Sequence, residues 1–268
     1  MIARVASALI FVPVFVGVCA WGATPFAILM AVTAALGACE MYRAFAARGI
    51  RPNPALAAIG PCIALLPAGG ALGLGERSWQ VWPYAGLVAA APVAWELVRA
   101  SRTGEMQLAR NIAYGLLCGV YSAMFASIGW LRTILGFGPT MLVVCMVWAT
   151  DTAALYCGKA LGRHKLAPTL SPAKTIEGAL GGVIAAAAIG AIGSTIAHTP
   201  MLNTAVIGAL VSVAGQAGDL LESALKREVC VKDFGSVIPG HGGALDRFDS
   251  LIFVCTVLAA AFPYLAAR

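Results

Sequence analysis

The chain has 268 residues, of which 60% are hydrophobic and only 11% charged, against about 25% charged in a typical soluble domain. With a mean hydropathy of +0.86, it cannot cover a water-facing surface, which excludes a soluble globular fold. The net charge of +6 then reads as basic loops beside anionic lipid headgroups, not as a nucleic-acid footprint.

The apolar runs are long, unbroken and rich in Ala, Leu, Val and Gly. They lack the residue-by-residue alternation of barrel strands, so the predicted fold is all-α: a polytopic membrane bundle of about nine transmembrane helices. In chain order the spans are expected near 5–21, 25–40, 55–74, 80–98, 111–130, 139–158, 176–197, 204–225 and 250–267. The first two are short for a hydrocarbon core of about 30 Å and suit a tight hairpin. The stretch Met1–Ala20, one Arg followed by an apolar run, has the outline of a signal peptide. The comparable spans that follow make it a retained first helix instead. On the seventh span Gly178, Gly182, Ala186 and Gly190 recur every four residues, a small-residue ridge for close helix packing, within one subunit or across a homodimer. The eight cysteines show no CxxC pair and read as small reduced core residues, without a metal or disulfide role.

Basic residues orient the bundle. If the N-terminus is cytoplasmic and nine spans alternate, only Arg77, Arg132 and Arg268 of the 18 Lys and Arg fall on the far side. That asymmetry is a strong positive-inside signal. It predicts a cytoplasmic N-terminus, an outside C-terminus, and the polar segments 159–175 and 226–249 in the cytoplasm, beside a bacterial inner membrane.

The chemistry is one-sided. All five Asp residues, Asp151, Asp219, Asp233, Asp246 and Asp249, lie after position 147. A single membrane domain over 1–268 is expected, with 1–147 as variable hydrophobic helices and 148–250 as the catalytic region. Asp151 interrupts the apolar run MLVVCMVWATDTAALYCG. A carboxylate there costs about 2.5–3.5 kcal/mol on insertion scales and calls for a partner or a polar cavity. Asp219, Glu222, Ser223 and Lys226 share one helical face. A structural ion pair of Asp219 or Glu222 with Lys226 is one reading of that face, and a functional site is the other.

Downstream, KREVCVKDFGSVIPGHGGALDRFD is basic, then turn-forming through Gly235, Pro239, Gly240, Gly242 and Gly243. It ends with Asp246 and Asp249 one helical turn apart. Two such carboxylates suit a divalent cation, and magnesium favours a few carboxylates plus substrate phosphates. Glycines let backbone approach phosphate. Upstream, KALGRHKLAPTLSPAKTIE sets Ser171, Lys174 and Thr175 just before the seventh span, where either hydroxyl also suits a plain helix N-cap. The combination points to metal-dependent phosphoryl or nucleotidyl chemistry.

At these residues a resemblance emerges. The run from Ser223 through Lys226, Arg227, Lys232, Asp233, Gly235, Pro239, His241, Gly242, Gly243, Asp246 and Arg247 to Asp249 resembles the signature of the phosphatidate cytidylyltransferase family. Asp151 through Gly178 and Gly218 through Ser223 are similar to that family's other blocks, so the match covers about 148–250. Ala244 stands where the family usually has a larger apolar residue, and Tyr156 comes one place later than its usual aromatic. The resemblance implies transfer of CMP from CTP to phosphatidic acid, with release of pyrophosphate, in phospholipid biosynthesis. The attacking phosphate monoester, with a second pKa of about 6, needs no general base. The difficulty is to bring anionic groups together, which calls for metal and fixed cations.

The roles implied are Mg2+ on Asp151, Asp219, Asp246 and Asp249, and a catalytic set of Asp219, Lys226, Arg227, Lys232, Asp246 and Asp249. Substrate contacts come from Ser171, Lys174, Thr175, Ser223, His241, Gly242, Gly243 and Arg247. The polar cavity would open to the cytoplasm and laterally to lipid. Competing readings are another CTP-dependent enzyme acting on a polyprenol or other lipid phosphate, and a transporter of anionic solutes. Transporters tend to repeat their broken helices in two halves, and this chain's chemistry does not repeat.

Overall fold

Apolar runs without interior charge become helices because lipid leaves the backbone no partner but itself. The computed structural model describes residues 2–68, 106–235 and 242–266. The expected span 80–98 lies outside these residues, as does His241. Helices α1 (Ile2–Trp21), α2 (Ala23–Ala46), α3 (Pro54–Ala64), α4 (Met106–Ala123), α5 (Phe125–Leu135) and α6 (Phe137–Leu161) are followed by a two-stranded hairpin, β1 (Lys165–Ala167) and β2 (Ser171–Thr175). Helices α7 (Ile176–Ile192), α8 (Ser194–Ala197), α9 (Met201–Glu228) and α10 (Leu245–Ala266) complete the order. Among the described residues four stretches are long and apolar enough to cross a membrane: Ala23–Ala46, Arg110–Leu135, Phe137–Leu161 and Met201–Glu228. Shorter apolar helices cover Leu9–Trp21, Pro54–Ala68 and Ile176–Ile192. The chain is an all-α integral membrane protein.

The structure departs from the expected spans in informative places. Helix α2 runs six residues beyond 25–40, and Glu40 within it is buried and partnered. Helix α10 starts at Leu245, five residues before the expected span, and so takes Asp246 and Asp249 into its first turns. The run 111–130 is split at Met124 into α4 and α5, and 176–197 is split at Gly193 into α7 and α8. The segment 159–175 contains antiparallel strands, with Lys165 opposite Thr175 and Ala167 opposite Ser171.

Two compact units divide the chain discontinuously: 1–133 with 231–247, and 134–230 with 248–268. In the first, Phe15 and Phe26 meet edge to face at 5.2 Å, and Phe45 meets Tyr114 at 4.7 Å and Phe234 at 6.1 Å. Such aromatic pairs add about 0.5–1.5 kcal/mol beyond their buried area. Asn53 caps α3, accepting from Ala55 N and Leu56 N, as an Asn at that position is suited to do.

In the second unit the small-residue ridge is buried along α7: Gly178, Gly182, Ala186 and Gly190 are its buried residues. A Cβ at Gly178 would lie 2.6 Å from Ala154 O on α6, and one at Gly190 would collide with Thr204 O on α9. Gly208 of α9 is pressed in turn against Ala186 O. The ridge therefore packs helices of one chain together. Of the eight free cysteines, Cys19, Cys118 and Cys255 are buried, while Cys39, Cys62, Cys145 and Cys230 are exposed. The core reading thus fails for those four.

Candidate active site

In the second unit the polar face of α9 is built around two ion pairs. Glu222, wholly buried, holds Lys226 one turn on, with Nζ–Oε1 at 2.7 Å. A buried carboxylate must be paired or neutralised, and Lys226 supplies the charge from the same face. Asp219, three residues earlier, reaches to the hairpin instead: Lys174 Nζ of β2 lies 2.5 Å from its Oδ2. Ser223 donates from Oγ to Asp219 Oδ1 at 3.5 Å. The structural pair left open by the sequence is thus Glu222 with Lys226, and Asp219 has Lys174.

The hairpin is tied down at several points. Arg227 Nε donates to Leu170 O at its turn. Thr175 caps α7 by accepting from Gly178 N at 3.1 Å, so the plain N-cap role applies to it. Glu177 accepts from the backbone of Arg163 and His164 and contacts His164 Nδ1 at 2.7 Å. Lys174, half-buried in β2, is therefore carried on a braced strand. Ser171 opens the same strand. Deeper in the bundle, Gln216 Nε2 donates to Ala179 O and Ser212 Oγ, which continues the polar stripe of α9.

Asp249 is half-buried on α10, and Asp151 is exposed on α6. Gly218 brings α9 against α10, since a Cβ there would lie 3.1 Å from Asp249 O and closer still to Phe253. Asp219, the next residue, and Asp249 thus occupy adjoining helix turns.

In the first unit Asp246 is buried. Its Oδ2 accepts from Gly243 N at 2.8 Å, and both carboxylate oxygens approach Phe234 N, at 3.3 and 3.2 Å. An acid in the first turn also faces the positive end of the helix. Gly242 adopts φ +84, a left-handed conformation that favours glycine. A Cβ on it would stand 3.2 Å from Asp246 Oδ2 and 3.5 Å from Asp233 Cγ. Lys232, Asp233 and Arg247 are exposed around this corner.

Sequence reasoning missed Glu40. This residue of α2 is 4% exposed and accepts from Ala244 N at 3.0 Å and Leu245 N at 3.2 Å. A signal was present: Glu40 is the first acidic residue of the chain, alone inside the run TAALGACEMYRAF. The criterion that singled out Asp151, an ionisable side chain within an apolar span, applies to it equally.

The donor chemistry suits a hard divalent cation, because the carboxylates of Asp151, Asp219, Asp246 and Asp249 offer oxygen ligands of the kind magnesium takes. Among the described residues no three His, Cys, Asp or Glu side chains converge. Magnesium commonly takes one or two carboxylates and completes its shell with water and substrate phosphates, and Asp219 and Asp249, on adjoining turns of the second unit, offer donors of that type.

Comparison with known proteins agrees with the chemistry. The sequence pattern of the cytidylyltransferase family matches residues 2–265. The chain is 46% identical over 132 residues to a phosphatidate cytidylyltransferase of Bacillus subtilis, covering 48% of this chain and 49% of that protein. It is 42% identical over 154 residues to one from Brucella suis, covering 57% and 55%. A third, from Staphylococcus epidermidis, is 41% identical over 125 residues, covering 46% and 48%. The chain spans about half the length of the curated relatives it matches.

Proposed function

The chain belongs to the cytidylyltransferase family, and on that premise we propose that it transfers CMP from CTP to phosphatidic acid, giving CDP-diacylglycerol and pyrophosphate. The observation that carries the reading is the polar face of α9. There the Lys174–Asp219 and Lys226–Glu222 pairs set cations and carboxylates side by side in an otherwise apolar helix bundle. The names of its relatives in Bacillus, Brucella and Staphylococcus support the same activity.

The ion pairs suit this task. An apolar bundle cannot hold uncompensated charge, so Lys174 and Lys226 are each kept beside a carboxylate. A nucleoside triphosphate presents anionic oxygens for Lys174, Lys226 and Arg227, which would offset the charge that builds on the leaving pyrophosphate, and the motif assigns Lys232 the same role. Asp219 and Asp249 with Asp151 would hold magnesium, which would supply further neutralisation of the phosphoryl oxygens, and the motif assigns Asp246 the same role. The attacking phosphate of phosphatidic acid is already largely dianionic at neutral pH, so the protein's work is orientation and charge compensation. Ser223 bonds Asp219 and Ser171 opens the strand that carries Lys174, while Thr175 is engaged as a cap. His241 and Arg247 are assigned to substrate by the motif. The active residues face the cytoplasm of a bacterial inner membrane on the positive-inside argument.

The test is turnover of labelled CTP with phosphatidic acid by the purified detergent-solubilised protein. CDP-diacylglycerol with equimolar pyrophosphate is expected. Product only with a polyprenyl phosphate, or uptake of anions into proteoliposomes without turnover, would replace this reading.

A further inference from the structure

Glu40 is a carboxylate placed in an apolar helix, and its partners belong to the main chain. Each of its oxygens takes one N–H: Ala244 N reaches Oε1 and Leu245 N reaches Oε2. These donors open α10, and a helix leaves its first N–H groups without intrahelical partners. Gly243 N, the preceding donor, is committed to Asp246. Three consecutive amides of the Gly-rich turn are thus engaged by carboxylates of the chain itself. Among the turn's glycine amides, that of Gly243 is taken by Asp246.

The glycines have another task. A Cβ at Gly235 or at Gly243 would collide with the Glu40 carboxylate, and Gly37, one turn before Glu40, lets Leu245 approach α2. Two glycines of the motif are therefore required by a side chain about two hundred residues away in sequence.

We propose that Glu40 is a positioning residue for the nucleotidyl transfer: it anchors the first turn of α10 and thereby fixes where Asp246 presents its carboxylate. The inference rests on the function proposed above, since it assigns Glu40 a part in that reaction. Both Glu40 oxygens are taken up by backbone amides. It acts through the amides of Ala244 and Leu245, and Asp246 acts through those of Gly243 and Phe234. The corner is locked by two carboxylates reading adjacent stretches of one backbone.

The test compares the full-length parent with Glu40→Gln, Glu40→Asp and Glu40→Ala. The readouts are hydrogen exchange over 242–250, and kcat and KM for CTP. Gln keeps the size but turns an amide NH2 toward one of the two N–H donors, so exchange at Ala244 and Leu245 should accelerate at least about tenfold. Protection elsewhere in α2 should stay unchanged. In the folded Glu40→Gln protein kcat should fall at least about 30-fold while KM for CTP moves little, the pattern of a lost transition-state arrangement. Glu40→Asp, which keeps the charge, should recover part of kcat. Gly243→Ala should reproduce the Gln phenotype, and combining it with Glu40→Ala should cost less than the two separate losses together.

Parental kcat in Glu40→Gln with faster exchange would overturn the positioning role. A general loss of protection and Tm with normal kcat per folded molecule would reduce Glu40 to a structural residue and overturn it too. A parent that makes no CDP-diacylglycerol would sink the proposed function instead. The exchange measurement would then still decide whether Glu40 anchors α10.

Discussion

Lys174 Nζ lies 2.5 Å from Asp219 Oδ2, which fastens the second strand of the only hairpin among the described residues to the polar face of α9. Both side chains keep partial exposure, at 24% and 33%. Lys174 Nζ itself is buried, so breaking the pair should cost more than a surface pair does but less than the loss typical of a wholly buried one, about 3 kcal/mol. Asp219→Asn should abolish turnover while lowering stability by no more than that amount. Thermal unfolding in detergent, read beside CMP transfer, checks it. A folded variant that retains turnover would make Asp219 a scaffold residue.

Glu222 and Lys226 should behave in the opposite way. Their side chains are only 1% and 13% exposed, and removing one partner of a buried pair typically costs about 3–5 kcal/mol. Lys226→Met should therefore destabilise strongly by leaving Glu222 buried without its cation. Replacing both, as in Glu222→Gln with Lys226→Met, should restore most of that loss. Turnover by the restored double variant would show that Lys226 serves folding alone. Its absence supports contact with phosphate.

Asp249→Asn is the cleaner test of a metal role on α10, because Asp246 also orders backbone through Phe234 N and Gly243 N. Activity should fall at least about 100-fold, roughly 2.7 kcal/mol of transition-state stabilisation, with the melting temperature little changed. Near-normal turnover at saturating magnesium would remove Asp249 from the metal set.

The α7 ridge predicts a purely structural penalty. Gly190→Leu drives a side chain into Thr204 O and Met146 and should cost about 1–3 kcal/mol, as overpacking does. Gly17→Ala in α1, which meets nothing within 4 Å, should be neutral or stabilise by up to about 1 kcal/mol. Thermal shift of the two purified variants separates them, and equal Tm values would contradict the packing.

The basic asymmetry of the loops predicts that reporters fused after Lys165 and after Arg268 give opposite signals. Matching signals would mean that an even number of crossings separates Lys165 from Arg268.

The membrane class, most helix positions and the α7 ridge were legible in the sequence, because each follows from a property read over a few turns: apolar run length, charge-free composition, or a four-residue repeat. The charged positions were legible too, since a carboxylate in an apolar run stands out wherever it sits. What hydropathy does not carry is the choice of partner. Lys226 had two carboxylates within helical reach, and burial settled it on Glu222, whose charge has no solvent to fall back on. Asp219 found its cation on a hairpin that the alternation rules did not reveal, because strands of three and five residues are too short to show a period. Glu40 was passed over because its meaning lies in amides 204 and 205 positions downstream. Only the folded chain brings a helix start to a distant carboxylate. Only there does it become apparent that Gly235 and Gly243 are small because Glu40 occupies the space a side chain would need.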